Sequence, residues 1–304
     1  MEFGKLKNIS NVDFSMGEVP LSTTKLLKKI PKDNVKPSFY FGCTGWAMKE
    51  WLGKFYPKKT KAKEYLYHYA RQFSTIELNT THYRIPTVET IKNWYNLTDK
   101  TFKFSPKIPQ SISHSTDLGA YGKEIDKFCT AIIGLKEKLG TSFIQLPPNF
   151  GPNRINILEQ FLTKFPTDEV PLAVEVRHED WFQKPTYFRL YLDLLASHNV
   201  GTVITDVAGR RDVLHLGLTT PTAMVRFVGN GLAPTDYERI DEWVDLLVNW
   251  MNQGLKEVYF FSHQPNNILS PDMCIYLIDA LERKSDLRFS KKTKQIDDGQ
   301  MSLF

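Results

Sequence analysis

The stretch LAVEVRHEDWFQKPTYFRLYLDLLASHNVGTVITD, residues 172–206, reads as strand, helix, strand. Residues 172–177 and 202–206 are short, apolar and β-prone, while residues 185–197 carry apolar groups at helical spacing. A strand returning to a second strand through a helix is the crossover that builds a parallel sheet. The same alternation continues outward on both sides. Strands are expected at 39–43, 75–79, 102–107 and 142–146 before this unit, and at 223–227 and 257–261 after it. Helices are expected at 62–72, 88–97, 125–139, 155–164, 237–253 and 271–283, whereas 210–220 is too short for a full helix. Eight strands with intervening helices predict a single (β/α)8 TIM-type barrel over residues 38–283 rather than an open doubly wound α/β sheet. No GxGxxG or GxxxxGK[ST] occurs, so the Rossmann and P-loop readings lose their main support.

The flanks differ from the repeating region. Residues 1–37 are lysine-rich, contain Pro20, Pro31 and Pro37, and show no sustained period, which predicts a surface extension. After Arg283 the chain turns polar and charged, so residues 284–304 are expected to leave the barrel as a flexible tail. The whole chain of 304 residues has the 41% hydrophobic and 24% charged balance of a folded protein. Its formal charge of +5 permits nucleic acid or an anionic substrate as partner without requiring either. Cys43, Cys129 and Cys274 are far apart and lack metal-ligand spacing, so neither a disulfide framework nor a zinc finger is indicated and a reducing cytoplasm is expected. The start, MEFGKLKNIS, has no apolar stretch of signal-peptide length, and no later run approaches the roughly 18 residues of a membrane helix.

In such a barrel the C-terminal strand ends line one mouth, where chemistry is done. Those ends carry Thr44 and Trp46, then Glu77 and Asn79 with His82 and Tyr83 just beyond, then Lys107 and Gln145. The later strands add Glu175, Arg177 and His178, Thr205 and Asp206, Arg226, and finally Ser262, His263 and Gln264. So many ionisable groups beside a packed core are unfavourable unless they compensate one another or meet a ligand. One reading pairs Glu175 with Arg177 or Arg226, and Asp206 with Lys107, as structural ties. The other assigns Lys107, Arg177 and Arg226 to a phosphate or carboxylate, Gln145 to a polar contact, and Glu77, Glu175 and Asp206 to acid/base or orienting roles. No HExxH or paired-histidine spacing is present, and nearby cations disfavour a divalent metal, so no cofactor is predicted. Of the aromatic set Trp46, Trp51, Phe55 and Tyr56, packing is expected for all but Trp46, which is assigned to the pocket.

These motifs resemble one family. GCTGW (42–46), KFYP (54–57), YARQFSTIELNTTHYRIP (69–86), FKFSPKIP (102–109) with His114, FIQLPPNF (143–150), AVEVRHEDWF (173–182), ITD (204–206) and MVRFVG (224–229) are similar, in order, to the YecE-like domain-of-unknown-function family. The resemblance implies a TIM-barrel-like fold and a cytosolic protein; it brings no reaction with it. The matching positions are Glu77, Asn79, Tyr83, Lys107, His114, Gln145, Glu175, Arg177, His178, Trp181, Asp206 and Arg226. At the eighth strand the family pattern reads YFNND, whereas this chain has FFSHQPNN, so Ser262, His263 and Asn266 stand in its place.

The terminal peptide QMSLF, residues 300–304, resembles the short peptide with which bacterial polymerases and repair proteins dock on the DNA sliding clamp. Leu303 and Phe304 would be apolar anchors and Gln300 would set register. Two functions follow as expectations: an enzyme, a hydrolase, lyase or isomerase, for a small anionic or sugar- or nucleotide-like substrate, or a non-catalytic accessory protein of DNA replication or repair recruited through the tail.

Overall fold

The computed structural model describes residues 4, 6–31 and 36–291. The first half runs α1 (Leu21–Lys29), β1 (Ser38–Gly42), α2 (Tyr65–Gln72), β2 (Thr75–Leu78), α3 (Thr80–Tyr83), α4 (Val88–Leu97), β3 (Lys103–Pro106), α5 (Gln110–Ser113), α6 (Glu124–Ile133) and β4 (Ser142–Gln145). The second half runs α7 (Ile155–Lys164), β5 (Leu172–Glu175), α8 (Asp180–Gln183), α9 (Pro185–Ser197), β6 (Gly201–Asp206), β7 (Thr222–Val228), α10 (Pro234–Gln253), β8 (Glu257–His263) and α11 (Ser270–Lys284). Three expected helices, α4, α7 and α9, have the predicted bounds. The interval between β6 and β7 holds only the 3-10 turn Arg211–Val213. The expected helix 125–139 instead breaks at Gly134 into α6 and the 3-10 turn Lys136–Lys138.

All strand pairs are parallel. Six strands form one sheet in the order β1-β8-β7-β6-β5-β4, and β2 pairs with β3 in a second. The protein is therefore an α/β fold with parallel strands, but among the described residues no continuous eight-stranded ladder is formed. At one seam Ser74 N donates to Phe41 O at 3.2 Å and Glu77 N to Cys43 O at 3.0 Å. A Cβ at Gly42 would overlap the Thr75 carbonyl oxygen, so this approach requires glycine. At the other seam Ile108 N donates to Phe143 O and Gly140 N to Phe104 O, both at 2.8 Å.

The alternation of strand side chains sorts the core into two faces. On one face Tyr40, Phe143, Ala173, Val203, Met224, Tyr259 and Phe261 pack together. On the other face, residues such as Phe41, Ile204, Val225 and Phe260 pack against Trp243 and Leu247 of α10 and Leu277 of α11. The rest of that face, including Ile76, Phe104, Ile144 and Val174, packs against Phe128 of α6, Phe161 of α7 and Tyr191 of α9.

The flanks are held more closely than their composition predicts. Within the N-terminal extension, α1 buries Leu27 in the α10–α11 core. The buried Thr23 hydroxyl donates to Leu216 O at 3.0 Å and accepts from Leu218 N at 2.8 Å. Gly254, at φ 125°, faces α1, and a Cβ there would lie 2.7 Å from Leu27 O. Over residues 284–291 the chain stays on the protein: Leu287 is buried, and the Phe289 ring lies 5.1 Å from that of Phe41. Burial of these two apolar residues is joined by an ion pair from Lys291 to Asp99 at 2.8 Å. Gln300, Leu303 and Phe304 lie outside the described residues. Among the described residues no helix is long and apolar enough to cross a membrane.

Candidate functional site

Beyond the aromatic layer, the same strand face turns polar. Gln145 and Glu175 follow Phe143 and Ala173 by two residues on β4 and β5, and Arg226 and His263 follow Met224 and Phe261 on β7 and β8. These groups form one connected network. Arg226 meets Glu77 twice, Nε to Oε2 and Nη2 to Oε1, each at 2.9 Å, and reaches Glu175 Oε2 through Nη1 at 2.7 Å. Glu175 also accepts from Arg177 Nε at 2.7 Å and from Gln145 Nε2 at 2.8 Å. Gln145 Oε1 in turn accepts from Lys107 Nζ at 2.9 Å. Asn79 Nδ2 and His263 Nε2 complete the surroundings of Glu77, at 2.8 and 2.9 Å from its two oxygens.

Burial alone would raise both carboxyls, but the surrounding cations win. Arg226 and His263 hold Glu77 well below the usual carboxylate range, and Arg177 and Arg226 hold Glu175 at about 2. Lys107 moves the other way. Burial and then the nearby Arg226 pull its ammonium from 10.5 down to about 8, against the attraction of Glu77 and Glu175. Above this network opens a cavity of about 400 Å³. Lys107, Gln145, Arg177, Arg226 and His263 line its floor, with Asn79, Tyr83 and Gln264 among the surrounding residues. No Asp or Glu is among the lining residues.

A family model described as "Protein of unknown function DUF72" matches residues 40–297. The chain belongs to the DUF72 family. It is similar to the UPF0759 protein YecE of Escherichia coli K12, 28% identical over 262 residues that cover 80% of this chain and 93% of that protein. It is also similar to the UPF0759 protein YunF of Bacillus subtilis 168, 27% identical over 154 residues, 49% of this chain and 54% of that protein. A crystal structure of a DUF72 family protein from Enterococcus faecalis V583 superposes with a TM-score of 0.66 at 21% identity, covering 85% of this chain and 100% of that one. One from Thermotoga maritima MSB8 gives 0.62 at 24% identity, with 81% and 99% covered. At these identities the two structures speak to the fold alone.

In this DUF72 chain the strand-end residues divide into three groups. Glu77, Asn79, Lys107, Gln145, Glu175, Arg177 and Arg226 come together as described, with Tyr83 at the rim, 81% exposed. His114 and His178 lie beside this group, outside the cavity lining. Burial, then Lys107 and Arg177, lower the His114 imidazole, and Asp180 N donates to His178 Nδ1 at 3.2 Å. Asp206 and Trp46 are elsewhere. Asp206 falls one residue out of phase with Val203 and Thr205, so it points to the helices, not the cavity. There it is fully buried, accepting from Arg239 Nη2 at 2.7 Å and Trp243 Nε1 at 2.8 Å and pairing with Arg211. The structural tie expected between Asp206 and Lys107 is thus made with Arg239 and Arg211 instead. Trp46 packs edge-on against Trp94, ring centroids 6.0 Å apart, because the chain has turned away from the strand axis by then. Trp181 is also packing, its Nε1 donating to Phe150 O at 2.8 Å.

His263 is the site residue that the motif comparison undervalued, since it sits where the family pattern departs. Strand phase finds it: it is two residues beyond Phe261, on the inward face. Among the described residues no three His, Cys, Asp or Glu groups converge as metal ligands would.

Proposed function

We propose that this DUF72 protein is an enzyme that binds a small anionic substrate, a sugar or nucleotide phosphate or a carboxylate, and acts on it by acid/base chemistry such as hydrolysis, elimination or isomerisation. One observation carries the reading. Three cations, Lys107, Arg177 and Arg226, face a cavity whose lining contains no carboxylate, because Glu77 and Glu175 lie beneath them. Arg226 uses three of its five N–H groups on the two glutamates and Lys107 one of three on Gln145, so donors remain for a ligand. In this assignment Arg177 and Arg226 hold the anion, while Lys107 and His263 move protons. Glu77 and Glu175 position the arginines, and Asn79, Tyr83 and Gln145 shape the pocket. Carboxylates already engaged by guanidinium groups are poor metal donors, so the reading needs no cofactor. It also takes the two sheets as one closed (β/α)8 barrel, which the backbone bonds at both seams support, and a cytoplasmic protein, in keeping with three buried free cysteines.

Thermal unfolding with inorganic phosphate, sugar phosphates and nucleotides tests it. A ligand at about 100 times its Kd should add about 2.7 kcal/mol, and Lys107→Ala should weaken that gain. No shift with any of these ligands would count against the reading. A second reading, recruitment to the sliding clamp, is favoured by the order of residues in QMSLF and would operate through Gln300, Leu303 and Phe304. Equal recovery of clamp with and without these five residues would remove it.

A further inference from the structure

We propose that Lys107 is an amine nucleophile that forms a Schiff base with the carbonyl carbon of an anionic oxo compound, an α-oxo acid or a phosphorylated aldehyde or ketone. The inference rests on the anion-binding reading of the cavity and narrows its substrate to carbonyl compounds.

The pairing pattern sets Lys107 apart. It is only 6% exposed, yet it forms no ion pair among the described residues, and its hydrogen-bond partner is the neutral amide oxygen of Gln145. The two carboxylates within its field are claimed by other cations, Glu77 by Arg226 and Glu175 by both Arg226 and Arg177. A buried lysine kept for stability is normally matched to a carboxylate. A lysine desolvated beside other cations is instead the arrangement that frees an amine lone pair for attack on a carbonyl. The groups acting on it electrostatically are Glu77, Glu175, Arg177 and Arg226, and it acts in turn on His82 and His114. Burial and these cations bring its ammonium to about 8, so roughly a tenth is free amine at pH 7. An ordinary lysine at 10.5 has about 300-fold less.

The arginines supply the complementary half. Arg226 and Arg177 flank Lys107 in the same cavity and can hold the substrate's carboxylate or phosphate. Their charge also favours the oxyanion that develops when nitrogen adds to the carbonyl. The step needs no oxidant or reductant. The Nζ lone pair forms the C–N bond as the carbonyl π pair moves to oxygen, and one nitrogen proton passes to that oxygen. The C–O bond then breaks, water leaves with the second nitrogen proton, and C=N remains.

The test is borohydride trapping on the full chain. The protein is incubated briefly with glyoxylate, pyruvate or dihydroxyacetone phosphate, quenched with borohydride, digested and mapped by mass spectrometry. Lys107 should be labelled roughly 30-fold or more faster than an exposed lysine such as Lys63, with a pH midpoint near 8 and protection by inorganic phosphate. Lys107→Arg should abolish the adduct at this position, whereas Lys63→Arg, at an exposed site, should leave it unchanged. Labelling of Lys107 no faster than Lys63 with all three compounds overturns the inference. If phosphate still stabilises the protein in that case, the anion-binding reading stands alone; if phosphate has no effect either, both fall.

Discussion

Replacing Arg226 with Met tests whether one guanidinium organises the whole polar layer. The side chain makes three charge-assisted hydrogen bonds, at 2.9, 2.9 and 2.7 Å, to two carboxylates that are 0% and 1% exposed. Glu175 keeps Arg177, whereas Glu77 is left with Asn79 and His263. Removing one partner of a buried ion pair is worth about 3–5 kcal/mol, so a loss of about 4 kcal/mol is expected at pH 7. At a urea dependence of about 3 kcal/mol per molar, the midpoint should fall by roughly 1 M or more. The effect has a definite pH dependence. In the native protein both carboxyls are depressed, so their contribution is complete above the ordinary 4.5 and is lost as pH falls through the folded values, about 2 for Glu175. In Arg226→Met, burial of Glu77 is no longer opposed by its main cation, so its carboxyl rises and the variant gains stability on acidification. The gap between the two proteins should therefore be widest near neutrality and narrow toward pH 5. Adding Glu77→Gln to the variant should recover about 1–2 kcal/mol, measured by urea unfolding followed through tryptophan fluorescence. A loss below about 1 kcal/mol, or a gap unchanged between pH 7 and pH 5, would refute the assignment.

Lys107 should behave oppositely. Its folded value lies below the unfolded one, so its protonated form opposes folding, and stability should rise as pH increases from about 8 to 10.5. Lys107→Met should then raise the urea midpoint at pH 7, by the equivalent of about 1–3 kcal/mol, while reducing phosphate binding; a destabilised variant would contradict this. Asp206→Asn should lower stability by about 3 kcal/mol or more through its buried contacts with Arg239 and Trp243, yet leave phosphate affinity in the folded protein unchanged, as isothermal titration would read. Gly254→Ala should cost about 1–3 kcal/mol, because φ 125° and the close approach of Leu27 O both exclude a Cβ, and hydrogen exchange should show α1 released first.

Alternation of β-prone and helical segments made the parallel α/β fold legible, since each such unit constrains its neighbours locally. The site was legible for a related reason. Period-two alternation places Gln145, Glu175, Arg226 and His263 on the same face as Phe143, Ala173, Met224 and Phe261. Counting that phase strictly would also have set Asp206 aside, because Val203 and Thr205 take the inward positions on its strand. The pairing of Glu175 with Arg177 and Arg226 was legible, but the partners of Glu77 and Asp206 were not. Glu77 and Arg226 are 149 positions apart, and nothing local in the chain distinguishes Arg226 from Lys107 as the partner of Glu77. The N-terminal flank was opaque for another reason: α1 has weak local signals, and it is held by a buried leucine and a threonine hydroxyl whose partners lie about 195 residues away.

The most direct measurement is a crystal structure of the protein soaked in phosphate or a sugar phosphate. Phosphate oxygens within hydrogen-bond distance of Lys107 Nζ and of the Arg177 and Arg226 guanidinium groups are the predicted result. Phosphate bound only to exterior lysines, with water alone in the cavity, would contradict an anion site at these strand ends.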